Sequence, residues 1–471
     1  MSDAVVVGSG PNGLACAALL AERGVGITVI EAAPTIGGGA RTSELTLPGL
    51  LHDDCSAVHP MAIGAPALSD LPLGRHGLEW AWPEVDLAHP LGGGEAAVML
   101  RSIEETAAGL GRAGGAWKRL FGPTSEAYER LEDDILGPLI HLPRHPLAVA
   151  SFGLRAAMPV TALARALPSP QARALFGGVA AHGFAVQSQP LSAAIGVALV
   201  GACHRYGWPV ARGGSGAITE ALAAVVLENG GRIETGRTVR SLEELPDADA
   251  VVLDLAPAAV AEIAGDRLPG RVARAYRRYR HGPGAFKLDL AVEGSVPWAD
   301  PGSRRAGTVH AIGSFEEVVL AEREINRGRM PERPFVLVGQ QYLADPARSR
   351  GDVHPVWSYA HVPNGYDGDA SEAILDQIER FAPGLRDRII GRFSRSTAEL
   401  AEYDANYVGG DIITGANTPL QTAIRPRFAL DPYRTGIDGV YICSAATPPG
   451  GGAHGMCGHN AARSVLRQLG G

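Results

Sequence analysis

Lysine is almost missing from this chain of 471 residues: only Lys118 and Lys287 occur among 42 basic residues, the rest being arginine. Against 50 acids the formal net charge is −8, so the electrostatic balance gives no reason to expect a nucleic-acid partner. Cysteine is scarce too. The five present (Cys16, Cys55, Cys203, Cys443, Cys457) are odd in number and show no metal-ligand spacing. They read as small apolar residues in a reducing compartment, with no metal site expected. No run reaches the roughly 18 uninterrupted apolar residues of a membrane span. The first strand-like run begins at Ala4, leaving no room for a cleaved leader. A cytoplasmic protein is expected, with peripheral membrane contact left open. A 46% hydrophobic content and this length allow two or three domains with sizeable cores.

What is present begins at once. Ala4-Val5-Val6-Val7 runs into Gly8-Ser9-Gly10-Pro11-Asn12-Gly13, and a second apolar run, Gly26 to Ile30, ends in Glu31. The β-branched runs read as buried parallel strands and Leu14 to Arg23 as the helix between them. Gly8 allows a tight turn, Gly10 lets backbone N–H groups approach a pyrophosphate, and Gly13 lets the helix pack close to the sheet. The phosphates would rest on the helix's positive N-terminus. Glu31 is placed to bond a ribose diol and to repel a 2′-phosphate, which argues against NADP. A second cluster, Gly37-Gly38-Gly39-Ala40-Arg41, lies where the chain must return beneath the pyrophosphate; Arg41 can pair with a phosphate there. Proteins binding extended FAD need such a loop, and simple NAD dehydrogenases do not.

This head resembles that of FAD-dependent oxidoreductases of the phytoene desaturase and amine oxidase superfamily. The tail agrees: Val440-Tyr441-Ile442-Cys443-Ser444-Ala445-Ala446-Thr447-Pro448-Pro449-Gly450-Gly451-Gly452-Ala453-His454-Gly455-Met456. The segments Asp53 to Pro60, Gly207 to Gly216 and Asn406 to Asp411 look most like the bacterial phytoene-dehydrogenase-like proteins related to pyridine nucleotide-disulphide oxidoreductase domain-containing protein 2. The resemblance implies FAD held by Gly8, Gly10, Pro11, Asn12, Gly13, Glu31, Gly38, Gly39 and Arg41 at one end. At the other it implies Ser444, Gly451, Gly452, His454, Gly455 and Met456, with the backbone of Val239 in a strand-like Thr238-Val239-Arg240 facing the adenine. Many relatives carry an acid where Ser444-Ala445 stands here. Physically, a helix opening near Gly458 can stabilise negative charge on a reduced flavin.

Arg212 to Thr219 imitates a second fingerprint, but Pro209 interrupts the preceding strand and Thr219 replaces the third glycine, so no second nucleotide site is expected. Ala217 to Leu227 reads as a packing helix and Ala250 to Leu253 as a further buried strand. From Ala174 to His204 there is no Asp, Glu, Lys or Arg, and from Ile135 to Leu167 the charges are isolated arginines. Prolines break this region into short helices; it reads either as core or as an apolar tunnel or lid. Ser102-Ile103-Glu104-Glu105 has a capping-box signature. In Phe286 to Val292, Lys287 and Asp289 share a face, and in Trp357 to His361 the three rings share another. His59, Lys287, Tyr407, Asp411 and His454 are the candidate catalytic residues.

The expected fold class is α/β: a Rossmann-like FAD-binding domain (1–75, 205–265, 405–471) with a discontinuous substrate domain (76–204, 266–404) of mixed or antiparallel sheet plus helices. The expected activity is desaturation of C–C bonds in an apolar, polyene- or isoprenoid-like small molecule. A flavin-dependent isomerase or saturase, an amine oxidase and a non-enzymatic lipid escort remain alternatives.

Overall fold

The computed structural model describes residues 2–470. Its first sheet has five parallel strands in the order Val440–Ile442, Ala250–Leu253, Asp3–Val7, Gly26–Ile30, Arg232–Glu234. Strand residues point alternately to opposite faces. Accordingly Ala4 and Val6 pack with the helices Pro11–Glu22, Gly216–Glu228 and Met456–Leu469, while Val5 and Val7 pack with Pro257–Ala264 and Gly270–Arg277. Covered on both faces, the strands are the near-continuous apolar runs that a parallel sheet requires.

The second sheet has seven strands, in the order Ile389–Arg395, Gly284–Glu293, Val353–Val362, Val336–Gly339, Ala306–Ala311, Val85–Gly92, Glu95–Met99. Its pairs are antiparallel except that Val85–Gly92 runs parallel to Ala306–Ala311. One face carries the helix Ser371–Glu379. Helices between residues 103 and 206 pack around Trp117, Phe121 and Phe176. The fold class is thus α/β, with one parallel and one mixed sheet.

The first and last helices are locked together. A Cβ on Gly458 would overlap the carbonyl oxygen of Asn12, so only glycine lets the helix Met456–Leu469 cross the helix Pro11–Glu22 this closely. Both N-termini therefore open at one place.

Two local expectations are corrected. Thr238 to Arg240 is not a strand; it lies outside both sheets. At Ser102 only half of the box forms, its hydroxyl accepting from the Glu105 N–H at 3.1 Å. The short strand Val210–Ala211 pairs with Trp80–Ala81 outside the parallel sheet. The N–H groups that open the next helix are taken by the chain's own side chains, Ser215 N–H by Asp53 (2.6 Å) and Gly216 N–H by Thr42 (3.0 Å).

Candidate functional site

A cavity of about 530 Å³ is lined by residues from both ends of the chain and from between them. Gly10, Pro11 and Asn12 line it, as do Ser444 and Gly450 to His454, and Phe152, Ile195, Ala198 and Leu199 give it an apolar wall. Gly10 and Gly451 thus share one crevice.

At the first end, backbone constraints explain the glycines. Gly8 has φ +101°, and a Cβ there would sit 2.9 Å from that of Asp254; a Cβ on Gly13 would overlap the Gly8 carbonyl. Gly38 (φ +51°) packs against Gly10, where a Cβ would lie 2.9 Å from the Gly10 Cα, so the second glycine loop does return beneath the first. The N–H groups of Gly10 and Asn12 make no hydrogen bond within the described residues. Asn12 Oδ1 and Ser444 Oγ are buried without a partner, and both residues line the cavity. Buried polar groups are rarely left unpaired. A polar ligand spanning Asn12 and Ser444 satisfies them, so the residues present fit an extended dinucleotide.

Three carboxylates cluster here, two of them missed from sequence. Glu31 is held by three donors, Ser9 N–H (2.8 Å), Ser9 Oγ–H (2.6 Å) and Ala33 N–H (2.8 Å). Asp254 follows the strand Ala250–Leu253 and accepts the Gly13 N–H at 2.8 Å, at the N-terminus of the first helix. Burial pushes its carboxyl up to about 7, the Gly13 bond opposing and Asp404 and Glu31 adding to the rise. Burial also raises Asp404, which lines the same end. An acid directly after a buried parallel strand was the available signal, because strand ends face the ligand crevice in such sheets.

Several predicted residues sit elsewhere than expected. Arg41 donates to the carbonyls of Ile36 and Thr35 (both 2.9 Å) and lies over the Tyr403 ring at 5.1 Å, so it braces its own loop and does not line the cavity. Met456 packs in the core. Lys287 is buried in an ion pair with Asp289, itself 3.4 Å from His52 Nδ1; the pair is therefore not on a solvated face, nor on the cavity wall. Asp411 is spent on the Gly282 N–H (2.7 Å) and His281 (3.4 Å). Val239 lies off the cavity, but its backbone makes no hydrogen bond within the described residues.

Other predicted residues do reach the cavity, though in braced states. His59 donates from Nε2 to Ser215 Oγ at 2.8 Å, and burial lowers its pKa to about 4, Asp53 opposing and Arg348 adding. His454 accepts the Met456 N–H on Nδ1 at 3.1 Å and is likewise lowered to about 4 by burial. Both are neutral at pH 7, and each has one ring nitrogen committed. Tyr407 lines the wall and packs its hydroxyl on Gly39. Of the predicted aromatic face, Trp357 and Tyr359 line the cavity, while His361 turns its Nδ1 to Glu322 (2.6 Å).

At the apolar end stands His182, hydrogen-bonded through Nε2 to His310 Nε2 at 3.0 Å. Burial lowers its pKa to about 3. One of two histidines in the charge-free stretch, it carried a signal by being titratable there at all. Among the described residues no group of three or more His, Cys, Asp or Glu side chains is placed to hold a metal ion.

This geometry is that of an α/β fold that opens on a Rossmann-like unit. Residues 6–70 match the model of the NAD(P)-binding Rossmann-like domain family. The fold is shared with an oxidoreductase from Methanosarcina mazei (TM-score 0.65, 16% identity, covering 99% of this chain and 100% of that one). It is also shared with putrescine oxidase bound to putrescine (TM-score 0.62, 17% identity, 100% and 99%). Along its whole length the chain is homologous to pyridine nucleotide-disulfide oxidoreductase domain-containing protein 2 of Rattus norvegicus, 25% identical over 551 residues that cover 99% of this chain and 94% of that protein.

Proposed function

We propose that the chain is an FAD-dependent oxidoreductase that desaturates C–C bonds of an apolar, polyene- or isoprenoid-like substrate. The observation carrying this reading is the continuity of one cavity from the glycine fingerprint, past the C-terminal glycine turn, to a wall of Phe152, Ile195, Ala198 and Leu199. The Gly10 and Asn12 N–H groups and the first helix N-terminus would hold the diphosphate. Glu31 would hold the adenosine ribose, the free backbone of Val239 the adenine edge, and Ser444 with the Gly451-Gly452 turn the ring end. When bound, FAD supplies the hydride acceptor.

The chain's own groups supply position and exclusion. Neutral His59 and His454 place no charge beside the ring, and His454 fixes the glycine turn. Trp357 and Tyr359 wall the side of the cavity, and the apolar end selects a greasy ligand by burying its surface. At that end His182 and His310 hold one proton between their Nε2 atoms.

The visible spectrum of the purified protein is the first test, since a bound flavin colours it yellow. Anaerobic bleaching by polyene or isoprenoid hydrocarbons, and not by amines, is the expected second result. A colourless protein favours the escort alternative, bleaching by amines alone overturns the substrate class, and a need for prior reduction without net oxidation identifies an isomerase or saturase.

A further inference from the structure

The helix Pro146–Ala156 is a wall with two apolar sides. Val149, Phe152, Gly153 and Ala156, at helical spacing, line the cavity. The opposite face carries Leu147, Ala150 and Leu154, all turned to solvent, with Leu147 87% and Leu154 76% exposed. The preceding loop adds Leu142 at 94%, and Leu139, which is half exposed and also lines the cavity. Across the mouth, Thr422 and Ala423 line the cavity and exposed Leu420 lies beside them. A helix apolar all round is stable only where both sides meet something apolar, and contiguous exposed leucines mark an interaction surface.

Charge says which kind. Between Ile135 and Leu167 there is no acid, only Arg144, Arg155, Arg165, His141 and His145, within a chain of net charge −8. Of the neighbouring acids, Asp133 pairs with Arg144 on the surface, and buried Asp134 bonds His141 (2.9 Å) and accepts the N–H groups of Arg144 (2.9 Å) and His145 (3.1 Å), which among the described residues leaves the side chains of His145, Arg155 and Arg165 as the cations without an acidic partner there. Arg155 folds back to the Ser151 carbonyl at 2.6 Å, leaving the leucine face clear. Exposed Arg165 is on the next turn of chain. Leucines flanked by arginine and histidine suit an anionic lipid interface. A second copy of this chain would set the same cations against each other.

The helix is 11 residues, about 16 Å long, well short of the roughly 30 Å hydrocarbon core. It meets the next helical segment, Val160–Ala166, at 94°. Among the described residues no single helix is long and apolar enough to cross a membrane. We infer that Leu142, Leu147 and Leu154 seat the mouth of the cavity on the surface of an anionic bilayer, the helix lying in the interface with its inner face still lining the cavity. Only the corollary that substrate enters from that bilayer rests on the proposed desaturase reading.

The test is flotation of the intact protein with vesicles of phosphatidylcholine alone and of phosphatidylcholine with phosphatidylglycerol. Binding is expected with the anionic vesicles, weakening as salt is raised. Leu147→Asp with Leu154→Asp is expected to lower it roughly tenfold or more, and Arg165→Glu to lower the anionic-lipid preference alone. Both changes are on exposed positions, and an unchanged melting temperature verifies folding. Flotation with neither vesicle, equal flotation of the double variant, or a concentration-dependent dimer that the double variant abolishes while wild type ignores vesicles each overturns the inference. Bound dinucleotide is read in the same samples, so loss of vesicle binding with cofactor retained leaves the proposed chemistry standing.

Discussion

Replacing Asp254 by Asn isolates the energetic cost of the carboxylate at the fingerprint. Burial carries its pKa from 3.8 to about 7 in the fold. A raised carboxyl is fully compatible with the fold below the unfolded value and opposes it as pH climbs through the folded one. A rise of about three pH units corresponds to roughly 4 kcal/mol of stability lost between pH 4 and pH 7.5, near 1.4 kcal/mol per unit. Asn is never charged and keeps an oxygen to accept the Gly13 N–H. Wild type and Asp254→Asn should therefore be closest, or wild type ahead, at pH 4, with the variant gaining steadily toward pH 7.5. Buried histidines act in the opposite sense: His59, His89 and His454, lowered to about 4, add stability as pH rises from 4 to 6.5. They are common to both proteins and cancel in the difference. For a chain of this size 4 kcal/mol corresponds to roughly 4–8 °C in melting temperature. Thermal melts of both proteins across the range measure it, and parallel curves would refute the assignment of this cost to Asp254.

Two further substitutions probe the scaffold. Gly13→Ala drives a methyl into the Gly8 carbonyl and should cost about 1–3 kcal/mol of stability together with the bound dinucleotide, read by melting and by spectrum; a stable, fully loaded variant contradicts the close-packing account. Arg348, buried with Asp53 at 2.5 Å and Asp345 at 3.2 Å, joins the second sheet's side of the molecule to the segment around His59. Arg348→Met strands Asp53 and should cost about 3–5 kcal/mol, and a loss below 1 kcal/mol in thermal or denaturant unfolding speaks against a buried pair.

Features that depend on a few adjacent residues were legible from the start. Gly8, Gly10 and Gly13 must be glycine for reasons contained in one turn, and the strands Gly26–Ile30, Ala250–Leu253 and Val440–Ile442 announce themselves by apolar β-branched runs. The helix starts were less sharp: the first opens at Pro11 and the last at Met456, because Pro11 tolerates a first helical position and Gly455 (φ +70°) caps the other. Partnerships between distant residues were not legible. Arg41 looked like a phosphate ligand until Tyr403 and two local carbonyls claimed it. Lys287 read as a catalytic candidate because alternation shows which face it shares with Asp289, not that the two are buried as an ion pair with His52 beside Asp289. His59 and His454 looked reactive, but the burial that neutralises both, and the Ser215 hydroxyl that braces His59, come from chain that only the tertiary fold brings near.

The same burial sets a condition on the cofactor. Asp254 and Asp404 line the end of the cavity where Gly10 and Asn12 offer free N–H groups to a diphosphate. Ionised, two carboxylates there repel a phosphate; protonated, each can donate an O–H to one. Because burial holds Asp254 near 7, that acid switches between these conditions around neutrality, and burial raises Asp404 as well. A bound diphosphate, being anionic, pushes both acids further toward the protonated form, so cofactor binding takes up protons. FAD affinity, followed by quenching of flavin fluorescence on titration, should fall from pH 6 to pH 8.5, and Asp254→Asn should flatten the fall. An affinity that is level across that range, or that tightens with pH, would mean the diphosphate lies away from Asp254 and that the first helix N-terminus is not its seat.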